Sequence, residues 1–129
     1  MQRYKKFPTD NTLFIACMKN DRFRDMFLTY LGQQMATTFS PDSVIARAEE
    51  YYYRLAPIMP EHYARWNFKA STHKAAIKRF ISYAQTRPMR MLQFIKYCDL
   101  LPLSQKQMEH YFGDIMQIMG VTYDQIKKP

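Results

Sequence analysis

Glycine is scarce in this chain. Gly32, Gly113 and Gly120 are the only three in 129 residues, and they stand far apart. That spacing excludes a glycine-rich phosphate loop and leaves no flexible linker. Long apolar runs are missing too, since no stretch approaches the roughly 20 residues needed to cross a bilayer. Met1 to Lys6 is basic, but no signal-type apolar segment with a cleavage site follows, which reads as a cytoplasmic protein or an internal piece of a longer one. Cys17 and Cys98 are the only cysteines, and both fall inside helical patterns. Their separation gives no metal-site spacing; buried free thiols are the expectation, with a disulfide between them as the alternative. No stretch alternates with period two, so no strand is predicted.

Apolar material is abundant. Hydrophobic residues make up 47% of the chain and aromatics 16%, with ten methionines and ten tyrosines, which excludes a disordered chain. A formal net charge of +8 raises nucleic acid as a partner. The cations are dispersed, however, with local density at Arg3 to Lys6, Lys74 to Arg79 and Lys127-Lys128, so a solvated basic face is the preferred reading.

Local signals give the helices. Asn20 caps a helix with the inward stripe Phe23, Met26, Phe27, Tyr30, Leu31 and Met35. A short helix from about Asn11 to Met18 precedes it, with Leu13, Phe14 and Cys17 on one face. Ser40-Pro41-Asp42 is the clearest helix start, with a capping serine and a proline at the first helical position. Its stripe is Val44, Ile45, Ala48, Tyr51, Tyr52 and Leu55. Pro57 and Pro60 predict a break at Leu55 to Met59, followed by a short helix carrying Met59, His62, Tyr63 and Trp66.

Ser71 or Thr72 is expected to cap a further helix with His73, Ile77, Phe80, Ile81 and Ala84, ending near Thr86-Arg87 because Pro88 disfavours helical geometry before it. Pro88 then opens another helix with Met91, Leu92, Ile95 and Cys98 inward. Ser104 to Gln107 matches a capping box ahead of Met108, Phe112, Ile115 and Met119. Gly120 suits a left-handed helix end, and Thr122 caps a last turn through Ile126. The predicted fold is all-α: an irregular bundle of six to eight short helices, with an extended segment at 1–10, a helical segment at 11–100 and a helical tail at 101–129.

Reactive groups are sparse. His62 and His73 lie on apolar stripes and read as packing residues, while His110 reads as exposed. Asp21 and Asp25 are one turn apart, but both favour a helix N-terminus through the macrodipole. Glu49-Glu50 point in different directions. No pair forms an acid/base dyad, and no His or Glu spacing suits zinc or di-iron. Tyr51-Tyr52-Tyr53 reads as core packing ahead of base stacking. Arg65 beside a buried Trp66 would stack on it or anchor a carboxylate, and Arg87-Pro88 is the other unusual dipeptide. Arg65, Trp66, Arg87, His62 and His73 are therefore the candidate structural or partner contacts. No catalytic, cofactor-binding or metal-binding residue is assigned.

Taken in order, Leu13-Phe14, Asn20-x-x-Phe23-Arg24, Thr37-Thr38-Phe39-Ser40, Pro57-x-x-Pro60, His62-x-x-Arg65-Trp66 and Arg87-Pro88 resemble the C-terminal part of the spore coat protein H (CotH) kinase-like family. The resemblance covers about Leu13 to Leu100. It implies an atypical protein-kinase fold in full-length relatives, which use ATP and a divalent metal to phosphorylate proteins, and it makes this chain similar to the distal part of the C-lobe. The family's ATP-binding lysine, catalytic aspartate and metal-binding aspartate have no counterpart among the matching residues. His73 departs from the pattern, which places Trp there.

The expectation is a non-catalytic C-terminal helical module, not an enzyme alone and holding no cofactor itself. Its partners would be the missing kinase-like lobes or another protein, with homo-oligomerisation through exposed apolar surface. Spore coat or cell envelope is the location the resemblance implies. The alternative is a stand-alone basic interaction domain that binds nucleic acid.

Overall fold

The computed structural model describes residues 11–129, so the expectation for residues 1–10 lies outside the described part. Six α-helices follow one another: α1 (Thr12–Met18), α2 (Asp21–Ala36), α3 (Pro41–Leu55), α4 (Met59–Trp66), α5 (Ala70–Lys96) and α6 (Gln105–Ile118). A 3₁₀ turn at Tyr123–Gln125 ends the fold, and no strand occurs among the described residues. The protein is all-α, as its sequence predicts.

Helix starts follow from local chemistry. The Asn20 side chain accepts from the Phe23 amide at 3.0 Å, and Ser40 accepts from Ser43 with Pro41 in the first turn. Ser104 and Gln107 form a reciprocal capping box. Each satisfies amides that the first helical turn leaves without partners. Gly120 takes φ +63°, the left-handed conformation that ends α6 without a Cβ penalty.

Two helix boundaries differ from expectation. Neither Ser71 nor Thr72 caps α5; Asn67 closes α4 in the left-handed region (φ 49°, ψ 44°), Lys69 is extended, and the helix begins at Ala70. Nor does Pro88 divide the chain, because α5 runs through it for 27 residues, about 40 Å at 1.5 Å per residue. A proline inside a helix costs about 3 kcal/mol, mainly through the lost bond to the carbonyl four residues earlier. Here Pro88 and Ala84 are buried together, Leu92 and Ile95 anchor the following turns, and the Thr86 hydroxyl donates to the Ser82 carbonyl at 3.0 Å. Burial on both sides offsets the missing bond.

The core lies between α2, α6 and the C-terminal half of α5. Leu28, Met35, Leu92, Ile95, Met108, Phe112, Ile115, Met116 and Ile126 form one buried cluster. The inward face of α2 is rotated from the expected stripe. Met26 and Tyr30 are exposed, while Leu28, Gly32 and Met35 are buried. The reason is Gly32: a Cβ there would stand 1.8 Å from the Tyr111 carbonyl oxygen, so α6 crosses α2 backbone to backbone at this residue. The face therefore centres on a glycine that a count of apolar residues passes over. In α1 the buried residue is Met18; Leu13 is exposed, and Phe14 meets the Phe27 ring edge-on at 5.4 Å. Cys17 and Cys98 are free and half-buried, not fully buried as expected.

Two polar contacts tie this core together. The Tyr111 hydroxyl donates to Asp25 at 2.6 Å, joining α6 to α2. That bond raises the Tyr111 pKa above 10.0, with burial and the Asp25 charge adding and Arg24 opposing. A tyrosine whose folded pKa is raised contributes stability that is complete below its unfolded pKa, near 10, and lost as pH rises through the higher folded value. Alkaline unfolding should therefore come at lower denaturant above pH 10, and Tyr111→Phe should flatten that dependence. Denaturant titrations across this pH range check it.

Lys96 makes the second contact. Its ammonium donates to the Tyr123 carbonyl at 2.7 Å and the Ile126 carbonyl at 2.9 Å, and lies 3.8 Å from the Tyr123 ring centroid. The fully buried Ile126 is held in the core beneath this clamp. Lys96→Met keeps the aliphatic stem but leaves both carbonyls without their charged donor. A loss of about 2–4 kcal/mol is expected, with faster proteolysis after Gly120; an unchanged urea midpoint would refute the clamp.

Candidate functional site

Away from that core, α3 and α4 bury no residue at all. They flank the N-terminal half of α5 and form with it the surface where the unusual side chains collect. Pro57 sits at the break between α3 and α4, Pro60 stands in the first turn of α4, and Asn67 reverses the chain into α5. In that reversal the Phe68 amide donates to the Tyr63 carbonyl at 2.9 Å, and the two rings stack with centroids 6.4 Å apart. This brings His73, in the first turns of α5, against α4.

A cleft of about 320 Å³ results, lined by Tyr52 of α3, Met59, Pro60 and Tyr63 of α4, and Ser71, His73 and Lys74 of α5. The Tyr63 hydroxyl and His73 Nδ1 share a hydrogen bond of 2.6 Å, and the Tyr52 ring lies 5.3 Å from the imidazole. His73 is half-buried, as a boundary histidine should be. Chemically the cleft offers two phenols, an imidazole, a hydroxyl and one ammonium, with no carboxylate among its lining residues. Among the described residues no group of three or more His, Cys, Asp or Glu converges.

The other sequence-selected residues are placed as follows. His62 is exposed and meets Tyr63 edge-on at 6.4 Å, so it does not pack inward as expected. Arg65 lies 5.6 Å over the Trp66 ring, but Trp66 is 64% exposed, which corrects the buried tryptophan expected from its stripe. The stacked pair forms at the end of α4 without a core to receive it. Arg87 stacks on Tyr83 at 5.6 Å and is exposed. It lies about 21 Å along α5 from His73, at 1.5 Å per residue, so it does not join the cleft. Tyr63 is the residue that sequence reasoning read only as packing. Its partnership with His73 depends on the reversal at Asn67, which no helical spacing encodes.

Tyr51 is half exposed and lines a broader groove of about 800 Å³ with Phe39, Val44, Arg47 and Phe80, against the expectation that it packs in a core. Asp21 pairs with Arg24 at 2.6 Å while Asp25 receives Tyr111, so the two carboxylates serve separate structural contacts. No helix among the described residues is long and apolar enough to cross a membrane.

Comparison with known proteins agrees with the motif order. No curated protein and no solved structure matches the chain. The sequence profile of the family described as CotH kinase protein matches residues 1–91, from the first residue to just past Pro88 and Arg90 in α5. With that span covering well over half of its length, the chain belongs to the CotH kinase family.

Proposed function

We propose that this chain works as a non-catalytic helical module of a CotH-type kinase-like protein, serving as a scaffold and partner surface. The observation that carries this reading is the α3–α4 layer. It buries nothing, while Tyr53, Leu55, Ile58, Trp66 and Phe68 are exposed around it. A helical layer that leaves this many large apolar side chains exposed marks a face made to be covered, and the kinase-like remainder of such a protein is the occupant proposed. Phosphoryl transfer also needs a phosphate cradle, a cation and metal-holding carboxylates brought together. The α3–α4–α5 cleft supplies a lysine and no carboxylate. Placement at a spore coat or cell envelope belongs to this reading through the family.

The test joins two measurements. Incubated with ATP and magnesium or manganese, the chain should show neither thermal stabilisation nor phosphate transfer to a protein substrate. Mixed with the catalytic lobes of a CotH-type protein, it should bind, and Trp66→Ala with Ile58→Ser should weaken that binding. Nucleotide stabilisation, or binding indifferent to both substitutions, would overturn the proposal.

A further inference from the structure

Between Glu61 and Asp99 the chain has no acidic residue and eight Lys or Arg, equal to its whole net charge of +8. Most of this segment is α5. At 100° per residue, Arg79, Tyr83, Arg87, Arg90 and Phe94 fall within a sweep of about 80° on that helix, along roughly 22 Å. All five are exposed, while Ala84, Pro88, Leu92 and Ile95 on the opposite side are buried. The ion pairs among the described residues are Arg24–Asp21 and Arg47–Glu50, so no described carboxylate lies within ion-pair distance of Arg79, Arg87 or Arg90. Arg87 stacks on Tyr83, and Arg90 donates to the neutral Gln93 side chain at 3.2 Å.

We infer that this outward stripe of α5 is a docking surface for an acidic, amphipathic polypeptide helix. Three guanidiniums on one ridge attract carboxylates and can hold them with paired N–H donors. A partner helix laid along α5 repeats its carboxylates at the same three- and four-residue steps. Tyr83 and Phe94, each 53% exposed, supply the apolar anchors between the charges. Arginine and aromatic side chains in this alternation are what protein interfaces concentrate.

Nucleic acid fits less well. Three phosphate contacts would release few counterions compared with the six to ten or so of firm binders. A phosphate backbone would also leave the Tyr83 and Phe94 rings wet. The inference is independent of the proposed kinase-like module, because it concerns the face of α5 turned away from the core and not the α3–α4 layer.

The test is fluorescence anisotropy with the whole chain and a labelled helical Glu/Leu-repeat peptide. Micromolar binding is expected, weakened on the order of tenfold or more by Arg79→Glu with Arg87→Glu, and severalfold by Tyr83→Ala or Phe94→Ala. The doubly reversed variant should instead bind the matching Lys/Leu peptide, which shows that it is folded and that charge sets the choice. Failure of the Glu/Leu peptide to bind, equal binding of a Gln/Leu peptide, tighter binding of duplex DNA, or no charge exchange would each overturn the inference.

Discussion

Gly32→Ala is expected to destabilise the chain by about 3 kcal/mol or more, although helix propensity alone favours alanine by about 1 kcal/mol. The sign reverses because the added methyl would meet the Tyr111 carbonyl oxygen at 1.8 Å, and the obstacle is backbone. A flexible side chain could move aside; a peptide group inside α6 cannot, so the helices must separate. Separation opens gaps beside Leu28, Met35 and Phe112, where contacts are lost all round the site. A fall in melting temperature of roughly 10 °C or more should follow. Gly113→Ala is the internal control. It lies within α6 with nothing within 4 Å of the added carbon, so it should gain about 0.5–1 kcal/mol. If both substitutions move stability in the same direction, the close crossing of α2 and α6 is wrong.

Removing residues 104–129 is expected to abolish cooperative folding altogether. The family match ends at residue 91, yet of the nine residues in the core cluster only Leu28 and Met35 precede that point. Met108, Phe112, Ile115, Met116 and Ile126 all belong to the removed segment. At about 1.5–3 kcal/mol for each large apolar side chain buried, they contribute roughly 8–15 kcal/mol, as much as the whole net stability of a typical domain. The truncated chain should lose its sharp melting transition, expose apolar surface to a hydrophobic dye and become sensitive to protease along α2. A cooperative transition retained by residues 1–103 would show that the family-matched part closes a core by itself. The C-terminal segment is thus the partner that α2 packs against, and Lys96 secures its far end.

These expectations bear on how the candidate site can be used. The two ends of α5 have different duties: Leu92 and Ile95 are locked into the core, while His73 and Lys74 line an open cleft. One helix serves both because it continues through the buried Pro88, whose neighbour Arg87 is exposed and stacks on Tyr83. A rigid helix of this length presents its exposed face as a fixed template, with little ordering entropy lost on binding.

The amino-acid sequence by itself determined where helices begin. At Asn20, at Ser40-Pro41 and at Ser104 to Gln107 the deciding hydrogen bonds join residues within one turn, so nothing distant can change them. It also determined the all-α class, through apolar residues at three- and four-residue steps, and the family, through the order of short motifs carrying Arg65-Trp66 and Arg87-Pro88. The predicted inward faces of α6 (Met108, Phe112, Ile115) and of the end of α5 (Leu92, Ile95) are buried, but only the tertiary structure decided which side of α2 faces inward, that α5 continues through Pro88, that Trp66 stays exposed, and that Tyr63 meets His73. Each of these depends on elements that are distant in the chain or separated by a turn: α6 crossing α2 at a glycine some 80 residues away, or a left-handed Asn67 reversing the backbone. Periodicity reports that a helix has an apolar side. The crossing of two helices decides which side is covered, because burial belongs to the pair.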